Sequence, residues 1–287
     1  MNKKRLLLIL SVICFLFLLT GCVKTNPDGS VNLIKIDTTF SEVKEEGFLT
    51  ALLVFPLSQS INFLSQYVGV AGAIAITTIV LNVIILACTF KSNVSMQKMQ
   101  SLQPEMEKIQ RKYEGRTDQA SQQRQAMEMQ ALYTKNDIHP LGSLLVTFIQ
   151  LPILIAMYSA VRKSQAVAEG TFMNVSLSTT PIDAVKGGVV VCIVIYVLMI
   201  LLQFLSISVP RWLAEAKAKR EADIHHKHYE KSKNQNAFMT YGMLIMIAFV
   251  MLNWPTALSL YYCIYSAVNI VKTLIIEQIT KKKEGGQ

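Results

Sequence analysis

The chain has 287 residues, 52% of them hydrophobic and only 16% charged, with a mean hydropathy of +0.37. Its apolar residues cluster in blocks of about twenty, the length that crosses roughly 30 Å of hydrocarbon, so a soluble globular domain is excluded and an all-α polytopic membrane protein is expected. The net charge of +9 is read as orientation, because Lys and Arg collect on cytoplasmic loops, and not as DNA binding.

Residues 1–21 have the form of an export signal. Lys3, Lys4 and Arg5 precede a short apolar run, Leu6 to Leu19, and Leu19-Thr20-Gly21-Cys22 closes it. Basic, apolar and then small residues are the signature of a secreted N-terminus. The closing tetrapeptide resembles a bacterial lipobox, which makes Cys22 the expected lipidation site and its covalent lipid the only prosthetic group. Two acyl chains suffice for stable anchoring. The other reading is an uncleaved anchor with a chance cysteine. Cys14, Cys88, Cys192 and Cys263 lie in apolar segments without paired spacing, so no disulfide framework or zinc site is expected.

Residues 22–69 are expected outside the cell membrane. Within them, 48–68 mixes apolar residues with Ser58, Gln59, Ser60, Asn62 and Gln66, the pattern of an amphipathic helix lying in the interface, with a short re-entrant segment as the alternative. Five spans follow at 70–90, 141–161, 188–208, 237–252 and 256–279. Asn253-Trp254-Pro255 forms the turn between the last two. The connecting segments alternate in charge. Residues 91–140 and 209–236 and the tail 280–287 are rich in Lys and Arg, whereas 22–69 and 162–187 are not. The N-terminus is therefore placed outside and the C-terminus in the cytoplasm.

Segment 91–140 reads as a cytoplasmic helical hairpin. Pro104 suits a first helical turn, Gly115 breaks the run, and Thr117-Asp118 can cap a second helix to about Lys135. Met99, Met106 and Met127 are candidate client contacts, since flexible thioethers suit varied apolar surfaces. The competing reading has these methionines pack the hairpin itself.

Polar residues inside the spans recur at helical spacing. Thr78, Asn82 and Thr89 share roughly one face. Thr147, Gln150 and Tyr158 stand in the second stretch, Tyr196, Gln203 and Ser206 in the third, and Tyr262, Tyr265, Ser266 and Asn269 in the last. Such residues face a bundle interior or a wet cavity, because hydrocarbon leaves them unsatisfied. Interhelical hydrogen-bond glue is the plainer alternative. No catalytic triad or phosphate-binding loop is present, so no enzyme is expected. His225, His226 and His228 lie in a basic loop and are read as a solvated face.

Three further stretches carry a family resemblance. They are Ser95-Met96-Gln97-Lys98-Met99-Gln100 with Leu102-Gln103-Pro104-Glu105 and Ile109-Gln110-x-Lys112-Tyr113; Gln150-Leu151-Pro152-Ile153; and Pro255-Thr256-Ala257-Leu258-Ser259-Leu260-Tyr261-Tyr262. Together with the lipobox and the order of spans, they resemble the YidC family of membrane protein insertases in its five-span Gram-positive form. The resemblance implies a membrane protein insertase and chaperone with a polar intramembrane groove. Its partners would be nascent membrane proteins, the ribosome, the Sec translocon and anionic lipids. Thr78, Asn82, Gln150, Gln203, Tyr262 and Asn269 are the implied groove residues. Asn82 stands where the family usually has arginine, Ala87 falls at or beside its proline, and Tyr262 replaces a common tryptophan. An alternative is an insertase-derived assembly or scaffold factor for one envelope complex. A solute channel or transporter subunit is disfavoured by an expected lack of ionisable residues in the spans and of an obvious inverted repeat.

Overall fold

The computed structural model describes residues 31–138, 140–224 and 235–284. Cys22, His139, His225, His226 and His228 lie outside them. The described chain is mostly helical. Helix α1 (Phe40–Lys44) precedes a π-helical turn (Thr50–Val54), which runs into the long α2 (Phe55–Ser101). Then come α3 (Gln103–Lys112), α4 (Gln119–Lys135), α5 (Pro140–Lys163) and α6 (Gln165–Glu169). Strands β1 (Thr171–Phe172) and β2 (Val175–Ser176), α7 (Pro181–Gly187), α8 (Val190–Ile224), α9 (Gln235–Met251) and α10 (Thr256–Glu284) complete the order.

Among the described residues, three helical stretches are long and apolar enough to cross a membrane: Thr50–Ser101, Val190–Ile224 and Thr256–Lys281. The expected interfacial helix and first span form one helix broken at Gly69, whose φ of 71° and ψ of 168° are not helical. That conformation is open essentially to glycine alone. The helix also runs past the expected end at 90, to Ser101. Similarly, α8 continues through Pro210 to Ile224, well into the segment expected as a loop. One proline removes a single intrahelical donor, and here the flanking turns hold.

The chain divides into two compact units. The first gathers the residues up to Leu81 with Thr147–Met199 and Val250–Tyr265. Its core is Ile34, Val43, Ala51, Val54, Ala156 and Ala160, with Leu53, Phe55 and Leu57 packed against it. A short parallel bridge joins Ile34 to Ser164. Asn62, 1% exposed, fastens that bridge. Its Nδ2 donates to the Ile34 carbonyl at 2.6 Å, and its Oδ1 accepts from Ser164 Oγ at 2.7 Å and the Ala166 amide at 3.1 Å. Nearby, Lys163 is ion-paired with Glu46. The start of α10 is tied to the same region: Thr256 Oγ1 donates to the Thr179 carbonyl at 2.7 Å. Segment 162–187 is therefore folded rather than a plain loop. It includes a β-hairpin turned at Met173 and Asn174, both at positive φ.

The second unit comprises Asn82–Val146, Ile200–Phe249 and the residues from Ser266. Here α3 and α4 fold back on each other about Gly115, at φ 78°. Lys112 Nζ and Tyr113 OH both donate to Glu128 Oε1, at 2.6 and 2.8 Å. Asp118 caps α4 by accepting from the Ser121 amide at 2.8 Å, which fills one of the orphan donors of a helix start. That bond holds the Asp118 carboxyl below the usual carboxylate range. The Lys112 and Tyr113 bonds do the same for Glu128, and the Glu128 bond raises Lys112.

Candidate functional site

Burial along the apolar helices is inverted. Val83 and Ile84 in α2, Leu201 in α8 and Phe249 in α9 are exposed, whereas Thr78, Asn82, Thr89, Asn93, Ser208 and Ser266 are buried. A water-soluble monomer rarely presents contiguous apolar faces of this kind. In lipid the pattern is the expected one, since polar groups must find partners inside the protein.

The polar stripe on α2 is satisfied partly within its own helix. Thr78 Oγ1 donates to the Ile74 carbonyl at 2.7 Å and Thr89 Oγ1 to the Ile85 carbonyl at 2.6 Å. Asn93 Nδ2 donates to Thr89 Oγ1 at 2.8 Å. These back-bonds use up the threonine donors and leave acceptor capacity. Asn82, one turn after Thr78, is 6% exposed and is not without a partner. A carboxamide offers two donors and two acceptor positions, so Asn82 and Asn93 are the richest hydrogen-bonding groups on this stripe.

In the second unit, α8 and α10 contribute a direct polar contact. Ser266 Oγ donates to Gln203 Oε1 at 2.6 Å. Asn269 follows one turn later, half-buried. On α8, Phe204 stacks on Tyr241 of α9 with ring centres 5.9 Å apart, and the Arg211 guanidinium lies 5.7 Å from the same tyrosine ring. Asn82, Gln203 and Asn269 thus belong to one unit. Thr78, Gln150 and Tyr262 belong to the other. There Gln150 is half-buried in α5, and Tyr262 sits in an aromatic cluster, 5.2 Å from Tyr261 and 6.2 Å from Tyr265 between ring centres.

The three methionines are not equivalent. Met127 is exposed on α4. Met99 is half-buried at the end of α2. Met106 accepts a long contact from Tyr133 OH at 4.0 Å, which is hairpin packing. Exposure therefore leaves Met127 as the methionine best presented to another chain.

One polar cluster escaped the sequence reading. Glu277 of α10, 8% exposed, accepts from Gln97 Nε2 at 2.9 Å and pairs with Lys281 at 3.2 Å. Val94, Lys98, Ala214, Lys217 and Thr280 line the small pocket beside it. The expectation that the spans hold no ionisable residue is wrong, and the signal was the charge itself. Lys272 and Glu277 both fall within 256–279, where an ionisable residue is costly and marks function by default.

The family model described as "60Kd inner membrane protein" matches residues 63–284 of this chain. Membrane protein insertase YidC 2 of Bacillus anthracis is 29% identical over 99% of this chain and 98% of its own length. Membrane protein insertase MisCA of Bacillus subtilis (strain 168) is 29% identical over 98% of this chain and 94% of its length. Membrane protein insertase YidC of Pediococcus pentosaceus is also 29% identical, over 99% of this chain and 90% of its length.

Proposed function

The chain belongs to the 60Kd inner membrane protein family, the YidC type, and from that premise we propose that it is a bacterial membrane protein insertase and chaperone. The carrying observation is the set of buried and half-buried hydrogen-bonding side chains in the apolar helices of the second unit: Asn82 and Ser266, which are buried, with Gln203 and Asn269, which are half-buried. We read these as the wall of a polar groove. A hydrophilic segment of a nascent chain entering such a groove meets donors and acceptors instead of hydrocarbon. Shortening the hydrocarbon path lowers the cost of moving polar groups, which is about 2–7 kcal/mol for each unpaired amide or hydroxyl. The client's apolar span then leaves sideways into lipid, driven by burial of about twenty residues.

The membrane arrangement completes the proposal. Five helices cross, with α5 and α9 added to the three longest. The N-terminus is outside, lipidated at Cys22, and the C-terminus is in the cytoplasm. The α3–α4 hairpin stands in the cytoplasm with Met127 toward clients. Its basic residues and those of 209–236 suit ribosomal RNA and anionic headgroups, and delivery comes from the ribosome directly or through the Sec translocon. The test is depletion of the protein in a cell lacking other insertases, followed by measuring insertion of one- and two-span proteins. Loss of insertion, restored by the wild-type chain, is the expected result. Normal insertion of every client would remove the proposal. Restored assembly of one envelope complex without restored insertion would establish the scaffold alternative.

A further inference from the structure

The far end of α10 holds a pocket that the groove reading leaves unused. Gln97 and Lys98 of α2, Ala214 and Lys217 of α8, and Glu277 and Thr280 of α10 line it. All six belong to the second unit. On α8 and on α10 the two lining residues are three apart, so each pair shares one helix face.

Charge decides what the pocket takes. Glu277, the one carboxylate among these described lining residues, has both oxygens engaged. Its Oε1 pairs with Lys281 at 3.2 Å, and its Oε2 accepts from Gln97 Nε2 at 2.9 Å. Lys98 and Lys217 bring two further ammoniums to the pocket, both on half-buried residues. Like charges gathered at one spot repel, and an anion that joins them removes that cost.

Depth decides which anion. Glu277 and Thr280 bracket residue 279, the end of the last apolar stretch. Ala214 follows two residues after Trp212, which is 53% exposed, and tryptophan collects at headgroup level. In the membrane arrangement proposed above, the pocket therefore stands where the phosphates of the cytoplasmic leaflet lie. Basic pockets between spanning helices on that side suit anionic headgroups.

We propose that this pocket is a binding site for the phosphodiester of one anionic phospholipid of the cytoplasmic leaflet, held between Lys98 and Lys217. It rests on the membrane arrangement above and not on the passage of clients. Gln97 and Lys281 occupy Glu277, which keeps its carboxylate from taking the place of the phosphate. The bound lipid joins α2 to α8 at this end.

Native mass spectrometry of the full-length protein in detergent, with phosphatidylglycerol and phosphatidylcholine at equal concentration, tests the site. The wild-type chain should retain one phosphatidylglycerol in preference. Lys98→Gln combined with Lys217→Gln should lower that preference about thirtyfold, roughly fivefold for each lysine. Glu277→Gln should raise it about fivefold, a gain that misfolding cannot produce. Lys91→Gln combined with Lys186→Gln removes the same charge from exposed positions and should leave the preference intact. The proposal is overturned if the wild-type chain shows no preference, if the exposed pair lowers it as much as the pocket pair, or if Glu277→Gln lowers it. Displacement of the lipid by inorganic phosphate would make this a free-phosphate site, and displacement by an RNA oligonucleotide a ribosome contact; either overturns the proposal. Detergent is blind to orientation and no client is present, so lipid retention stands or falls apart from the insertase reading. A C-terminus reached by reagents from outside the cell would overturn the choice of leaflet.

Discussion

Replacing Asn62 with leucine keeps a side chain of similar size and deletes three hydrogen bonds at once. The Ile34 carbonyl would keep its bond from the Gln165 amide at 3.2 Å. The Ser164 hydroxyl and the Ala166 amide would each lose their acceptor, Asn62 Oδ1. That oxygen belongs to a side chain only 1% exposed. Leaving a buried donor without a partner costs about 1–3 kcal/mol, so two of them sum to about 3 kcal/mol or more. That is a roughly hundredfold rise in local opening. Hydrogen exchange in nanodiscs, read peptide by peptide, measures it. Exchange should accelerate in peptides covering 31–46 and 164–170 and stay unchanged in the α3–α4 hairpin. Unchanged exchange around Ser164, or uniform acceleration across the whole chain, would refute the assignment of Asn62 as the fastener of the Ile34–Ser164 bridge.

Three other outcomes follow from the second unit. A double-mutant cycle of Gln203→Leu with Ser266→Ala should show a coupling of about 0.6–2 kcal/mol in thermal unfolding; strict additivity would show that the 2.6 Å contact carries no energy. The α3–α4 hairpin should be pH-sensitive at both extremes. Glu128 is depressed, so its contribution is present above the ordinary carboxylate pKa and is lost as pH falls through its lower folded value, below about 4. Lys112 is raised, so its contribution is complete below its ordinary pKa and is lost as pH rises through the higher folded value, above about 10. Exchange of the hairpin amides across pH checks both limbs, and Glu128→Gln should abolish them. Finally, Asn82→Leu should reduce insertion of clients with polar flanks several-fold, about the worth of one intramembrane hydrogen bond, while Asn82→Gln retains it; equal insertion by both variants would take Asn82 out of the groove.

Local chemistry was the most legible part of this chain. Pro104, Gly115 and Asp118 each announced a start, a break or a cap, and each sits at that place in α3 and α4. The break in α2 falls at Gly69, because only glycine tolerates that backbone there. Long-range pairing was not legible. Nothing local in Ile34 or Ser164 tells that the two strands of chain meet 130 residues apart. The hairpin at Met173-Asn174 lacks the Asn-Gly signal that would have marked it. Helix ends beyond 90 and 208 were set too early, since polar composition does not stop a helix that packs on its neighbours. Of the polar residues singled out in the apolar helices, Gln203 and Ser266 are joined directly. Gln150 and Tyr262 lie in the other unit, a division that helical periodicity within one segment cannot reveal.

The central claim is that a client chain passes along the polar face marked by Asn82. A photo-crosslinker placed at position 82, in membranes carrying ribosome-stalled nascent chains of increasing length, tests it directly. A second crosslinker at Ile245, which is 67% exposed on α9, serves as the lipid-facing comparison. The account predicts adducts from position 82 at short chain lengths, as polar flanks enter, and their loss once the span has left for lipid. Adducts from position 245 that equal or precede those from 82, or none from 82 at any length, would contradict it.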